Sequence, residues 1–139
     1  MIVAVAARYF TPDEANAVLV AVRPVAEELV QARRQLAEAA RRRETMRAAV
    51  AGNGGDLTPG DFTELTSGLA DAGASVTRCL EQLEELGVLV KDPDRGLVDF
   101  PALRGAEEVL LCWHVGEDDI GYWHGLDEGF AGRKPLPLL

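Results

Sequence analysis

The chain has 139 residues, 27% of them charged and 47% apolar, with a net charge of −9. That balance describes one globular domain long enough to bury a core. The excess of acids speaks against a general phosphate-backbone binder, which needs clustered Lys and Arg, so nucleic acid is not an expected partner.

In chain order, Met1 to Ala7 is apolar. It is too short for a signal peptide or a membrane span, and reads as an edge strand or an ordered arm. No membrane association is expected, and the expected location is the cytoplasm. Thr11-Pro12-Asp13-Glu14 then starts a helix: a capping Thr, a Pro suited to the first position, and an acid three residues after the cap. The pattern predicts helix one over 11–50, with a seam at Val18, Val22, Val25, Leu29, Ala32, Leu36 and Ala39. The alternating spacing of four and three is that of a heptad. A helix of about 38 residues runs about 57 Å and needs a partner along its length. Pro24 falls inside it and predicts either a kink near Val20 to Pro24 or two abutting helices.

Gly52-Asn53-Gly54-Gly55 marks a turn, and Thr58-Pro59-Gly60-Asp61 repeats the logic of the first helix start. Helix two is predicted over 58–87, with a seam at Phe62, Leu65, Leu69, Ala72, Val76, Cys79, Leu83 and Leu86, and Gly87 as its stop. Two heptad seams joined by a glycine-rich turn make a long antiparallel, coiled-coil-like helical hairpin. Val30, Ala37, Ala40 and Ala70 lie off the seam and widen it, which predicts a homodimer of hairpins packed side by side.

After Gly87 the period changes. Val88–Val90 and Leu97–Phe100 flank a turn rich in Asp, Pro and Gly and predict a β-hairpin. Pro101 to Ala106 reads as a loop. Val109 to Val115 reads as a central strand, apolar on both faces, and Ile120 to His124 as a shorter strand. Gly125 to Leu139 reads as an ordered tail. The fold class is therefore α+β: a single domain over 1–139, with a small, mostly antiparallel β-sheet cap and tail over 88–139.

Chemistry concentrates near the end. Seven acids, both histidines and both tryptophans fall between Glu107 and Glu128, with no Lys or Arg among them. If the turn at Gly116 folds the strands back, Glu117, His124 and Asp127 can converge. Carboxylate plus imidazole suits a divalent metal such as zinc, manganese or iron, and also acid–base work. The spacing is no diagnostic signature, and solvated turn acids with a hydrogen-bonded structural His are the plainer reading. Gly129 to Arg133 can offer amides and a guanidinium to an anion, but the plainer reading pairs Arg133 with a nearby acid. Cys79 and Cys112 are too few for a disulfide scaffold and form no CxxC pair. They read as reduced, buried thiols rather than a cysteine zinc site. Arg33, Arg34, Arg41, Arg42, Arg43 and Arg47 make the far half of helix one basic, and a solvated outer face explains them. No phosphate loop, dinucleotide fingerprint or Gly-x-Ser-x-Gly is present.

Several stretches together resemble an uncharacterised bacterial family, domain of unknown function 2203. They are Arg8-Tyr9-Phe10-Thr11, Glu14-Ala15-Asn16, Leu97 to Pro101, Leu111-Cys112-Trp113, Gly116-Glu117, Ile120, Tyr122-Trp123-His124 and Gly129 to Arg133. The resemblance runs from about Arg8 to Pro135 and carries no established activity or cofactor. It implies where to look: Glu117, Trp123, His124, Asp127, Gly129, Phe130, Gly132 and Arg133 fall on the hallmark motif, with Trp123 and Arg133 in ligand-contacting or structural roles. His114 departs from the motif, which favours His124 as a ligand. Two function classes follow. The first is a non-enzymatic interaction or dimerisation module, holding a second copy or another protein. The second is a metal- or small-ligand-binding protein, enzymatic or not, centred on Glu117, His124 and Asp127.

Overall fold

A computed structural model of the chain describes residues 8–52 and 56–139. The expected strand or arm at Met1 to Ala7 lies outside the described residues.

Helix α1 runs Pro12–Ala51 and helix α2 runs Pro59–Glu85. Both begin with the reciprocal cap that their sequences predict. Thr11 Oγ1 accepts from the Glu14 amide and Glu14 Oε1 accepts from the Thr11 amide; Thr58 and Asp61 do the same for α2. Each cap satisfies two amide donors that a helix start otherwise leaves orphaned. α2 ends where expected. Gly87 takes φ +87°, its amide donates to Glu84 O, and the Val88 amide reaches back to Leu83 O, which closes the last turn. Pro24 does not divide α1 into two helices: one helix runs through it, with Pro24 on the exposed side.

The α1 seam differs from its prediction near the sheet. Ala15, Leu19, Val22, Ala26, Leu29, Val30 and Ala32 are buried, whereas Val18, Val25, Leu36 and Ala39 are only half-buried. The stripe widens because this part of α1 packs against the sheet as well as α2, so one heptad seam cannot describe it. Val30 is consumed in this way: its side chain lies against Gly96 of the β-hairpin turn. The α2 seam agrees better, with Leu65, Ala72, Cys79 and Leu83 buried and Phe62 exposed.

Five antiparallel strands follow: β1 Leu89–Asp92, β2 Leu97–Arg104, β3 Glu107–His114, β4 Tyr122–Gly125 and β5 Lys134–Pro135, in the spatial order of the chain. The predicted loop from Pro101 to Ala106 is mostly strand, and β2 continues to Arg104. Pro101 is tolerated because its carbonyl points away from β3 and accepts from the Phe10 amide at 2.7 Å. Its missing N–H lies on that same side and removes no bond from the β2–β3 ladder. The predicted strand at Ile120 starts two residues later, because the Ile120 amide is taken by Asn16 Oδ1 at 2.9 Å.

Strand alternation gives the sheet two different faces. Val98, Phe100, Ala102, Val109, Leu111, Trp113 and Trp123 face the helices and form one core with Leu19, Leu29, Cys79 and Leu83. Phe100 meets Phe10 edge-on at 5.4 Å between ring centroids. The opposite, outer face carries Leu97, Asp99, Leu110, Cys112 and His124, and is covered by the segment that follows β4. Among the described residues, no helix is long and apolar enough to cross a membrane.

Candidate functional site

The outer face holds the two buried polar side chains, thiols aside, among the described residues. Asp99 on β2 is 1% exposed and His124 on β4 is 3% exposed. Cys112 on β3 stands between them in the register, directly opposite Asp99. Donor atoms of Asp99, Cys112 and His124 all lie within 4.8 Å of one another, with all three residues buried. Against Asp99 and His124 lies a small cavity of about 130 Å³, walled by Leu97, Leu110 and Phe130 and rimmed by Lys91 and Glu128.

Hydrogen bonding fixes one proton of the imidazole. Nδ1 of His124 is 2.8 Å from the Gly125 carbonyl oxygen, which can only accept, so Nδ1 carries a proton. Nε2 then faces Asp99 Oδ2 at 3.1 Å. Two bare lone pairs repel at that distance, so one further proton lies between them. The pair is neutral as a unit, either as acid and imidazole or as carboxylate and imidazolium. Burial pushes the Asp99 carboxyl above the ordinary carboxylate range, opposed by the adjacent His124 and, more weakly, by the Cys112 thiol. The other oxygen, Oδ1, is buried without a hydrogen-bond partner. Burial also pushes the Cys112 thiol up to about 12, with the Asp99 charge adding to the effect. Both ring nitrogens of His124 are engaged elsewhere, so neither is free to activate Cys112 as a nucleophile.

The residues singled out from the sequence are not brought together. Of Glu117, His124 and Asp127, only His124 belongs to the buried cluster; Asp127 is exposed in the turn after β4. Glu117 sits in the turn after β3. It accepts from the His114 amide at 3.0 Å, and its other oxygen pairs with Arg133. Arg133 is nearly buried, stacked 4.0 Å from the Tyr122 ring and 4.5 Å from Phe130. The anion-binding reading of Gly129 to Arg133 therefore gives way to the plainer one: Arg133 is an internal partner that fastens the covering segment to the sheet. Glu128 helps, accepting from the Gly125 amide and from Lys134 Nζ, which together hold its carboxyl below the ordinary range. Trp123 points to the helix side and packs in the core, beneath Arg104 and Lys134. His114 bonds the Val115 carbonyl and stays outside the cluster. Cys79 and Cys112 are both free and buried, and burial lifts Cys79 to about 11.

Asp99 and Cys112 are what reading the sequence missed. A signal was present: β3 is apolar on both faces, so the sheet is covered on both sides, and an acid in the adjoining strand must then be buried. A comparison with curated proteins and one with solved structures each find no match. The hallmark residues that fasten the segment after β4 nevertheless form one coherent latch, and the model of an uncharacterized conserved protein family, DUF2203, matches residues 8–136: the chain belongs to that family.

Proposed function

We propose that the protein is a non-enzymatic self-association module, in which the half of the hairpin remote from the sheet pairs with a second copy of the chain. The observation that carries this reading is the loss of burial along the hairpin. Among the described residues, the only buried one of α1 beyond Ala32 is Met46, and the only one of α2 before Ala72 is Leu65. Val50 and Phe62 stay 58% and 40% exposed and border a groove floored by Ala48 and Ala51. Two helices bury only one stripe of each other; a four-helix arrangement buries the second.

Charge complementarity favours a second copy as the occupant. In this half α1 carries Arg34, Arg41, Arg42, Arg43 and Arg47 against Glu38 and Glu44. The facing half of α2 carries Asp61, Glu64 and Asp71 and no Lys or Arg. Two hairpins laid side by side about a two-fold axis set the basic helix of each against the acidic helix of the other. Small residues at Ala37, Ala40 and Ala70, all exposed, allow a close approach.

Sedimentation equilibrium tests this reading. The expected result is a dimer at roughly tens of micromolar, weakened by added salt because its rim is ionic. Phe62→Lys combined with Val50→Lys should give a monomer of unchanged helical content. A parent protein that is monomeric at those concentrations overturns the proposal.

A further inference from the structure

We propose that Asp99, Cys112 and His124 form a metal site of the zinc class on the outer face of the sheet, under the segment that follows β4. Asp99 Oδ1 is buried with no hydrogen-bond partner, a costly arrangement unless something answers it. A cation bound there answers it directly.

The donor set selects the metal. One imidazole nitrogen, one thiolate sulfur and one carboxylate oxygen suit zinc or a similar borderline cation, and suit magnesium or calcium poorly. Charge agrees with burial. A divalent ion with one thiolate, one carboxylate and a neutral imidazole sums to zero, the state a buried face tolerates best. The imidazole is already oriented for ligation. Its Nδ1–H is anchored on the Gly125 carbonyl, so Nε2 is the nitrogen turned toward the cluster. That is the outer-shell support that metal-binding histidines receive. The proton now shared by Nε2 and Oδ2 occupies the place a metal takes. Donor separations of up to 4.8 Å must contract by about an ångström to reach tetrahedral bonds. Three protein ligands leave a fourth position facing the cavity, with room for a water.

The ligands come from three different strands, so no short spacing motif records them. The site shares only His124 with the trio read from the sequence, which makes the two separable by mutation.

The test uses untagged, full-length protein and cobalt(II) as the spectroscopic stand-in for zinc. The expected result is one equivalent bound, with a cobalt–thiolate charge-transfer band in the near ultraviolet. Zinc should displace the cobalt and raise the melting temperature by mass action. Cys112→Ser should abolish the band, and Asp99→Asn or His124→Gln should weaken zinc binding by at least about 100-fold. Cys79→Ser, Glu117→Gln and Asp127→Asn should leave the band and the zinc affinity unchanged. Absence of a thiolate band in the parent overturns the proposal whatever the variants do. So does a band that survives Cys112→Ser, or zinc binding lost in Glu117→Gln but kept in Asp99→Asn.

Discussion

The two ends of the helical hairpin are built from the same heptad logic and the same capping device, yet they differ in what holds them. At the sheet end, α1 is covered on two sides, and Ala15, Val22, Ala26 and Leu29 are fully excluded from water. At the remote end, the same two helices touch only each other and bury one residue apiece among those described. A third layer, not seam quality, makes the difference. Burial contributes about 25 cal/mol per Å² of apolar surface, so the sheet end holds most of the stability. Long-range polar ties follow the same division. Arg23 donates to the carbonyls of Glu117 and Asp118, and Asn16 bonds the backbone of Ile120, so α1 is fastened to the turn after β3. Beyond Arg33, whose guanidinium pairs with Asp94, the ion pairs of α1 are local and exposed.

The sharpest way to break this comparison is to place the same charge at both ends. Leu83→Asp puts an unpaired carboxylate at a fully buried position, and a loss of about 3–5 kcal/mol or outright unfolding is expected. Leu69→Asp, half-buried in the remote half, should lose under about 1.5 kcal/mol. Equal losses in urea melts of the two variants would show that the remote half is as well packed as the sheet end.

A smaller effect is expected at the hairpin turns. Gly96 has φ +62°, and a Cβ there would lie 2.4 Å from Val115 Cγ2. Gly105 has φ +64° with nothing nearby. Gly96→Ala should therefore cost about 2–4 kcal/mol, combining backbone strain with a clash, whereas Gly105→Ala should cost only the left-handed backbone term, about 1 kcal/mol. Calorimetry on the two single variants separates the terms.

The caps sharpen the comparison at about 1 kcal/mol each. Thr11→Ala loosens a helix start bound into the core and should lower the global melting temperature by a few degrees. Thr58→Ala should instead raise amide exchange in the first turns of α2 while the global transition barely moves.

The smallest effect is acid sensitivity. Hydrogen bonds from the Thr11 and Thr58 backbone amides hold the Glu14 and Asp61 carboxyls below their ordinary values. A lowered folded value means that each cap contributes in full above the ordinary carboxylate range and is lost as the pH falls through the lowered value. Helical signal followed by circular dichroism should fall gradually over that window, and Asp61→Asn should remove part of the change.

The sequence was most legible where one face decides. Both capping boxes, the Gly87 stop and most of the α2 seam were readable, because each depends on residues within a few positions of one another. The α1 seam was misplaced where a sheet, itself unplaced in sequence, adds a second buried face. Pro101 read as a loop because its tolerance depends on Phe10, brought from the far end of the chain. The candidate site was legible only in part. His124 was readable as a candidate ligand or a hydrogen-bonded structural residue, but Glu117 is absorbed by Arg133, and Asp99 and Cys112 gain meaning only once β2, β3 and β4 lie side by side.

The sequential order of the five strands bears on how quickly the molecule assembles. No strand crosses over another, and each pairs with the one preceding it in the chain, so every sheet contact closes only a short loop. The helical hairpin joins helices adjacent in the chain, although its pairs near the sheet close wider loops, such as Glu28 to Arg78, 50 residues apart. Chains dominated by such local contacts reach the folded state fast, in microseconds to milliseconds when helical contacts lead. The distant closures left over are those that bring the start of α1 onto the sheet, such as Arg23 to Glu117, 94 residues apart. Variants at the seam between α1 and the sheet are expected to slow folding more than changes within the sheet, which stopped-flow refolding of each variant checks.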